Sequence, residues 1–186
     1  MNLIVSAPSG SGKTTILKQI FEKYPNTFGF SVSATTRTPR QGEIDGKDYH
    51  FLTLEEFNAH IANQDFLEYE QVYEGLYYGT LKSEIDRINQ MGMHPVFDVD
   101  VKGGMNIKKI LSKSAYSVFI MPPSIEVLRQ RLENRKTENE KTLMARIERA
   151  EMEIECAKYF DKIIINDDLN KAVEEFSTVV DKFILR

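Results

Sequence analysis

Hydrophobic and polar positions follow two rhythms along this chain. Short apolar runs at residues 3–6, 95–98, 116–121 and 162–165 have the length and composition of strands buried on both faces. A segment of helical periodicity follows each run. Residues 14–23, for example, place Ile16, Leu17, Ile20 and Phe21 on one helical face. Ser124 and Asp168 stand where a side-chain oxygen accepts from the first-turn N–H groups of a helix. Repeated βα units of this kind predict an α/β fold, with a parallel sheet core flanked by helices.

Two stretches break the rhythm. Residues 33–80 hold Pro39, Gly42, Gly46, Gly75 and Gly79, two short strand candidates at 49–52 and 66–72, and the capping box Thr53-Leu54-Glu55-Glu56. This pattern predicts a small mixed α+β insertion riding on the main sheet. From Glu126 onward, two helical segments flank the polar stretch 136–141.

Composition narrows the function classes. With 41% hydrophobic and 28% charged residues the chain is globular rather than disordered. A net charge of −4 disfavours a general nucleic-acid or membrane-surface binder. No apolar run approaches the roughly 20 residues of a membrane span, and no targeting segment is evident. The single cysteine, Cys156, suits a reducing compartment, so a cytoplasmic location is expected. His50, His60 and His94 show no metal-ligand spacing, and Cys156 has no evident base partner, which sets aside metal-enzyme and thiol chemistry.

The sharpest local signal is Ala7-Pro8-Ser9-Gly10-Ser11-Gly12-Lys13-Thr14-Thr15, between a strand and a helix. It matches the phosphate-loop pattern G-x-x-x-x-G-K-S/T, except that Ala7 occupies the first glycine position. Gly10 and Gly12 let backbone N–H groups turn inward around a phosphate, and the helix N-terminus adds its positive dipole end. Lys13 can reach the β- and γ-phosphates, and the Thr14 hydroxyl can meet Mg²⁺ carried by the nucleotide.

A phosphoryl acceptor needs a second site. Arg37 and Arg40 flank Pro39 and offer two guanidinium forks suited to phosphate oxygens; Tyr49 and Tyr78 add hydroxyls. A carboxylate at Glu68 can accept the ring N–H and exocyclic amine of guanine, a donor pair adenine does not present. Ser33 and Thr80 can complete the base contacts. Asp98 and Asp100 share one side at the end of the run 95–100, where ligands lie in open α/β sheets. They can orient Mg²⁺ and its waters or contact the acceptor nucleoside.

Between Arg129 and Arg149 lie seven basic residues against four acidic ones, a local +3 in a chain of net −4. Arg131 and Arg135 are four apart, and Arg146 and Arg149 three apart, so two helices can aim several arginines at one point. Two unit charges 4 Å apart repel by about 4 kcal/mol at an effective dielectric near 20. Two nucleotides bring several such pairs, and concentrated arginines are an economical way to neutralise them.

Taken together, the phosphate loop, the stretch Ser33-Ala34-Thr35-Thr36-Arg37-Thr38-Pro39-Arg40, Gly46-Lys47-Asp48-Tyr49, Phe66-Leu67-Glu68, Tyr77-Tyr78-Gly79-Thr80, Asp98-Val99-Asp100 and Ile165-Asn166-Asp167-Asp168 resemble the guanylate kinase family over nearly the whole chain. The resemblance implies a P-loop nucleoside monophosphate kinase-like fold in one domain. Its core would be 1–32, 81–125 and 157–186, with a GMP-binding insertion at 33–80 and a helical ATP lid at 126–156. It implies phosphorylation of GMP by ATP with Mg²⁺, no organic prosthetic group and no nucleic-acid or membrane partner. By analogy, Arg37, Arg40, Tyr49 and Tyr78 hold the GMP phosphate, while Ser33, Glu68, Thr80 and Asp100 read guanine with Asp98 nearby; Gly79 also belongs to the GMP-binding set. Lys13, Arg131, Arg135 and Arg146 handle the transferring group, and Asn166 lies near adenine. Arg149 is added on spacing alone. Closure would hinge near Ser33, Thr80, Glu126 and Ala157. Ala7, Thr80, Lys102 and Lys136 depart from the family's commoner Gly, Ser, Gln and Gly, and none removes a charged group from the mechanism. Whether the protein is a monomer or a homo-oligomer is left open.

Three alternatives make distinct demands. A protein-binding module of the same fold commonly has a degraded phosphate loop, yet Lys13, Thr14 and the arginines are all present. A GTPase switch needs an Asn-Lys-x-Asp motif that the chain lacks. A kinase for another nucleotide would not depend on Glu68.

Overall fold

The computed structural model describes residues 1–134 and 140–184. Its main sheet has five parallel strands in the order β2-β7-β1-β8-β9. These are β1 (Asn2–Ser6), β2 (Phe28–Phe30), β7 (His94–Asp98), β8 (Ala115–Met121) and β9 (Lys162–Ile165). Alternation along these strands feeds two cores. Leu3, Val5, Val96, Val118, Ile120 and Ile164 face α1 (Lys13–Lys23) and α7 (Leu169–Ile184), whose Ile16, Ile20, Phe176 and Val180 complete that layer. Ile4, Phe97 and Phe119 point the other way, onto Val101 and Ile107 of α4 (Val101–Leu111) and onto Ala157 and Phe160. Burial on both faces is why the strands read as unbroken apolar runs.

Residues 34–81 build a second sheet of four strands, β4-β3-β6-β5: β3 (Ala34–Thr35), β4 (His50–Phe51), β5 (Phe66–Tyr73) and β6 (Leu76–Leu81). α2 (Leu54–Ala62) covers it, burying Phe57 against Phe66, Ala34 and Leu81. The expected capping box forms: the Thr53 hydroxyl accepts from Glu56 N–H, and the Glu56 carboxylate accepts from Thr53 N–H at 2.7 Å. α3 (Lys82–Gln90) returns the chain to the main sheet. In its first turn Glu84, buried, accepts from Val32 N–H at 2.8 Å and meets His50 and Arg87, joining the two sheets.

α5 (Ile125–Glu133) and α6 (Glu140–Glu155) pack on each other through Leu128, Leu132, Ile147 and Ala150. Ser124 caps α5 through Val127 N–H, and the Asp168 side chain accepts from Lys171 N–H at 2.9 Å at the start of α7, both as expected from sequence. The fold differs from the sequence expectation in its shortest pieces. β2 and β3 are two or three residues long, too short for a period to register. β6 lacks alternation because Gly79, Thr80 and Leu81 are buried in succession. Arg135 and Lys136 lie outside the described residues.

Candidate active site

The phosphate loop leaves the C-terminal end of central strand β1 and enters α1. Gly10 and Gly12 both adopt positive φ, near 90°, the left-handed conformation that glycine reaches without strain. A Cβ on Gly12 would lie 2.3 Å from the Asn166 amide nitrogen. That amide donates to Ser11 C=O at 2.7 Å, and Arg131 donates to Asn166 C=O at 2.9 Å. Asn166, itself held by Arg131, therefore braces the loop from behind at Ser11, with Asn166 and Ser11 buried. Ala7 needs no left-handed backbone, and its methyl is buried in the sheet core, so the substituted first glycine fits without strain.

Lys13 extends from α1 to the end of β7, ion-paired with Asp98 and donating to Val99 C=O at 3.0 Å. The loop, Lys13, Thr14 and Thr15 form one wall of a cleft of about 560 Å³; Asp98, Asp100, Ser33 and Tyr49 form another, and Arg146 and Arg149 reach in from α6. Arg146 approaches the Ser9 hydroxyl at 3.4 Å. Among the described residues no three His, Cys, Asp or Glu side chains cluster as a metal cage. Thr14 and Asp98 instead present isolated oxygen donors beside the loop, a set that suits Mg²⁺ held mainly by phosphates and water.

A second chamber of about 630 Å³ opens under the smaller sheet. Ser33, Arg37, Arg40, Tyr49, Glu68, Tyr78 and Gly79 line it, and it shares Asp98, Asp100, Arg146 and Arg149 with the first cleft. Arg37 is engaged here by Glu43 in a two-pronged contact, 2.8 and 2.9 Å, and lies over the Tyr49 ring at 5.2 Å. Glu43 also accepts from Arg40 N–H at 2.7 Å. These donations hold the Glu43 carboxyl below the usual carboxylate range. Tyr49 packs edge-on against Tyr78 at 5.9 Å, and burial raises its hydroxyl pKa.

Glu68 sits deeper. Its carboxylate accepts from the buried Thr80 hydroxyl at 2.9 Å. Burial pushes its pKa up to about 7, against the pull of the Thr80 hydrogen bond, and the charges of Asp100 and Glu70 add to the rise. Asp100 caps α4 by accepting from Gly103 N–H at 2.8 Å, and its other oxygen accepts from Arg149 at 2.9 Å. Arg149 also donates to Glu153 at 2.8 Å.

Most of the residues singled out in the sequence line two joined chambers; Thr80 stands behind Glu68; Asn166 and Arg131 lie behind the loop at Ser11; and Arg135 lies outside the described residues. Sequence reasoning missed Glu43: nothing marks a lone glutamate three residues after Arg40 as the partner of Arg37. It also missed Lys102 as the partner of Glu70, which borders the second chamber.

This geometry has known counterparts. The guanylate kinase family model matches residues 1–183. The guanylate kinase of Bacteroides thetaiotaomicron is 48% identical over 182 residues, covering 98% of this chain and 89% of the relative. That of Porphyromonas gingivalis is 45% identical, covering 99% and 98%. Among solved structures, guanylate kinase from Anaplasma phagocytophilum superposes with a TM-score of 0.76 at 28% identity, covering 100% of this chain and 87% of that one.

Proposed function

Because the chain belongs to the guanylate kinase family, we propose how its residues divide the work of the reaction it catalyses, transfer of the γ-phosphoryl group of ATP to GMP to give ADP and GDP. The observation that carries the assignment is the pair of chambers meeting at Asp98, Asp100, Arg146 and Arg149. The glycine loop takes the ATP phosphates in the first. The second takes GMP, with its phosphate toward Arg37, Arg40, Tyr49, Tyr78 and Gly79 and its base toward Glu68, Thr80, Ser33 and Asp100.

Lys13 and Arg146 face the junction and neutralise charge on the phosphoryl group in flight, joined by Arg131 and Arg135 as the helices close. Asn166 and Arg131 act on ATP through the loop they brace. Mg²⁺ bound to the nucleotide, near the Thr14 hydroxyl and Asp98, would offset phosphate charge. No general base is required. The acceptor oxygen belongs to a phosphate monoester with second pKa near 6 and is already ionised at neutral pH. What this chain supplies is in-line positioning, electrostatic stabilisation and exclusion of water.

Residues 33–80 and 126–156 serve in this reading as the GMP-binding insertion and the ATP lid, closing about hinges near Ser33, Thr80, Glu126 and Ala157. No helix among the described residues is long and apolar enough to cross a membrane. The free thiol of Cys156 fits a reducing compartment, and the reading places the enzyme in the cytoplasm. The test is ADP release from Mg²⁺-ATP with GMP, AMP, UMP or dTMP, beside a Lys13→Ala control. Turnover with GMP alone, lost in the control, is expected; equal turnover with AMP would overturn the base assignment.

A further inference from the structure

α6 touches both chambers from one face. Arg146 reaches the phosphate loop at Ser9, and Arg149, one turn later, reaches Asp100 in the second chamber. Arg149 does not swing freely, because Glu153, four residues on along the same helix, holds its Nε at 2.8 Å. Asp100 is equally fixed, with one oxygen capping α4 and the other accepting from Arg149. A carboxylate offers about four acceptor positions, so Asp100 can take a donor from guanine without releasing either partner. The chain of contacts therefore runs from the guanine site through Asp100 and Arg149 into α6, and along α6 to the arginine at the phosphate loop.

We infer that Arg149 is a positioning residue through which occupancy of the GMP chamber sets the pose of α6, and so of Arg146, over the bound ATP. The inference rests on the assignment of the two chambers given above. A base seated on Asp100 closes off the other positions of the carboxylate that Arg149 shares, so α6 is held more firmly in the pose that places Arg146 at the phosphate loop. Linkage makes the effect mutual, so that ATP also tightens GMP. The benefit is chemical. Arg146 is held most firmly when an acceptor is present, which disfavours transfer of the phosphoryl group to water.

The test uses the full chain, titrated by calorimetry with Mg²⁺ and a non-hydrolysable ATP analogue, alone and with saturating GMP. In the parent protein GMP is expected to lower the Kd of the analogue by about tenfold. Arg149→Gln should reduce that factor to within about twofold of unity, while the Kd of each ligand measured alone changes far less. Arg149→Lys should restore part of the factor. Glu153→Gln, which loosens the arginine without removing it, should give an intermediate value. A merely structural role would weaken binding of each ligand alone and leave the factor intact. An undiminished factor in folded Arg149→Gln overturns the inference, as does a factor of one in a parent protein that binds and phosphorylates GMP. A parent protein that neither binds nor phosphorylates GMP overturns the underlying chamber assignment instead.

Discussion

On the assignment proposed above, the two chambers solve the same problem, holding phosphate, by different means. The ATP cleft uses backbone. Its loop is set by two left-handed glycines, and a buried asparagine ties it down from behind. The acceptor chamber uses long side chains that already have partners: Glu43 engages Arg37 through both carboxylate oxygens and takes the Arg40 N–H as well. A backbone cradle is preorganised and needs little rearrangement on binding. A side-chain site whose charges are internally compensated must exchange partners, which lowers affinity but lets binding drive closure. The donor site is built rigid and the acceptor site is built to respond.

The largest expected effect tests the rigid side. Lys13→Ala should lower kcat by a factor of order 10³, the loss typical when a charge-stabilising donor is removed, with the thermal midpoint little changed. Gly12→Ala strikes the same region through the backbone. Its positive φ and the 2.3 Å approach of Asn166 leave no room for a methyl. ATP binding should fall together with stability, read by calorimetry and thermal unfolding.

On the responsive side, Arg37→Ala should raise the KM for GMP by roughly 30-fold, about 2 kcal/mol, since charge-assisted hydrogen bonds to phosphate are lost. The KM for ATP should stay near its parent value. Equal damage to both would erase the contrast between the chambers.

Glu68 sharpens it further. In its proposed role as guanine reader Glu68 must be ionised, yet burial raises its pKa to about 7. Because the folded-state value lies above the ordinary one, the folded chain holds this proton between pH 4.5 and 7. The group therefore favours folding at the acid end of that window and opposes it as pH rises toward 7. Binding runs the other way: the KM for GMP should rise as pH falls from 8 to 6, while that for ATP changes less. Glu68→Gln should flatten the profile and lose about 1–3 kcal/mol of discrimination for guanine. The smallest effect is local. Thr53→Ala removes the cap of α2 and should cost about 1 kcal/mol of stability with the KM for ATP unmoved.

Legibility in the sequence followed the same divide. Four strands of the main sheet are readable because burial on both faces makes them plain apolar runs, and Lys162–Ile165 matches its expected limits; the three-residue edge strand Phe28–Phe30 is not. The phosphate loop was readable because backbone geometry demands glycine at fixed spacing. The small strand Ala34–Thr35 carries too few residues for any period, and tertiary pairing defines it, whereas His50–Phe51 falls inside the expected run 49–52. Arg37 and Glu68 stood out by type and neighbourhood, while their partners are set in space. The pairing of Arg37 with Glu43, the bracing of the loop by Asn166 and the bridge from Arg149 to Asp100 depend on how side chains meet after folding.

The central claim, a fixed donor cradle facing an acceptor site that exchanges partners, is tested most directly by a crystal structure with GMP and a non-hydrolysable ATP analogue bound. The account predicts that the Cα atoms of residues 7–14 superpose on the present ones within about 1 Å, while Arg37 leaves Glu43 or shares it with the GMP phosphate. A phosphate loop that rearranges on binding, or an unaltered Arg37–Glu43 pair with GMP phosphate held elsewhere, would contradict it.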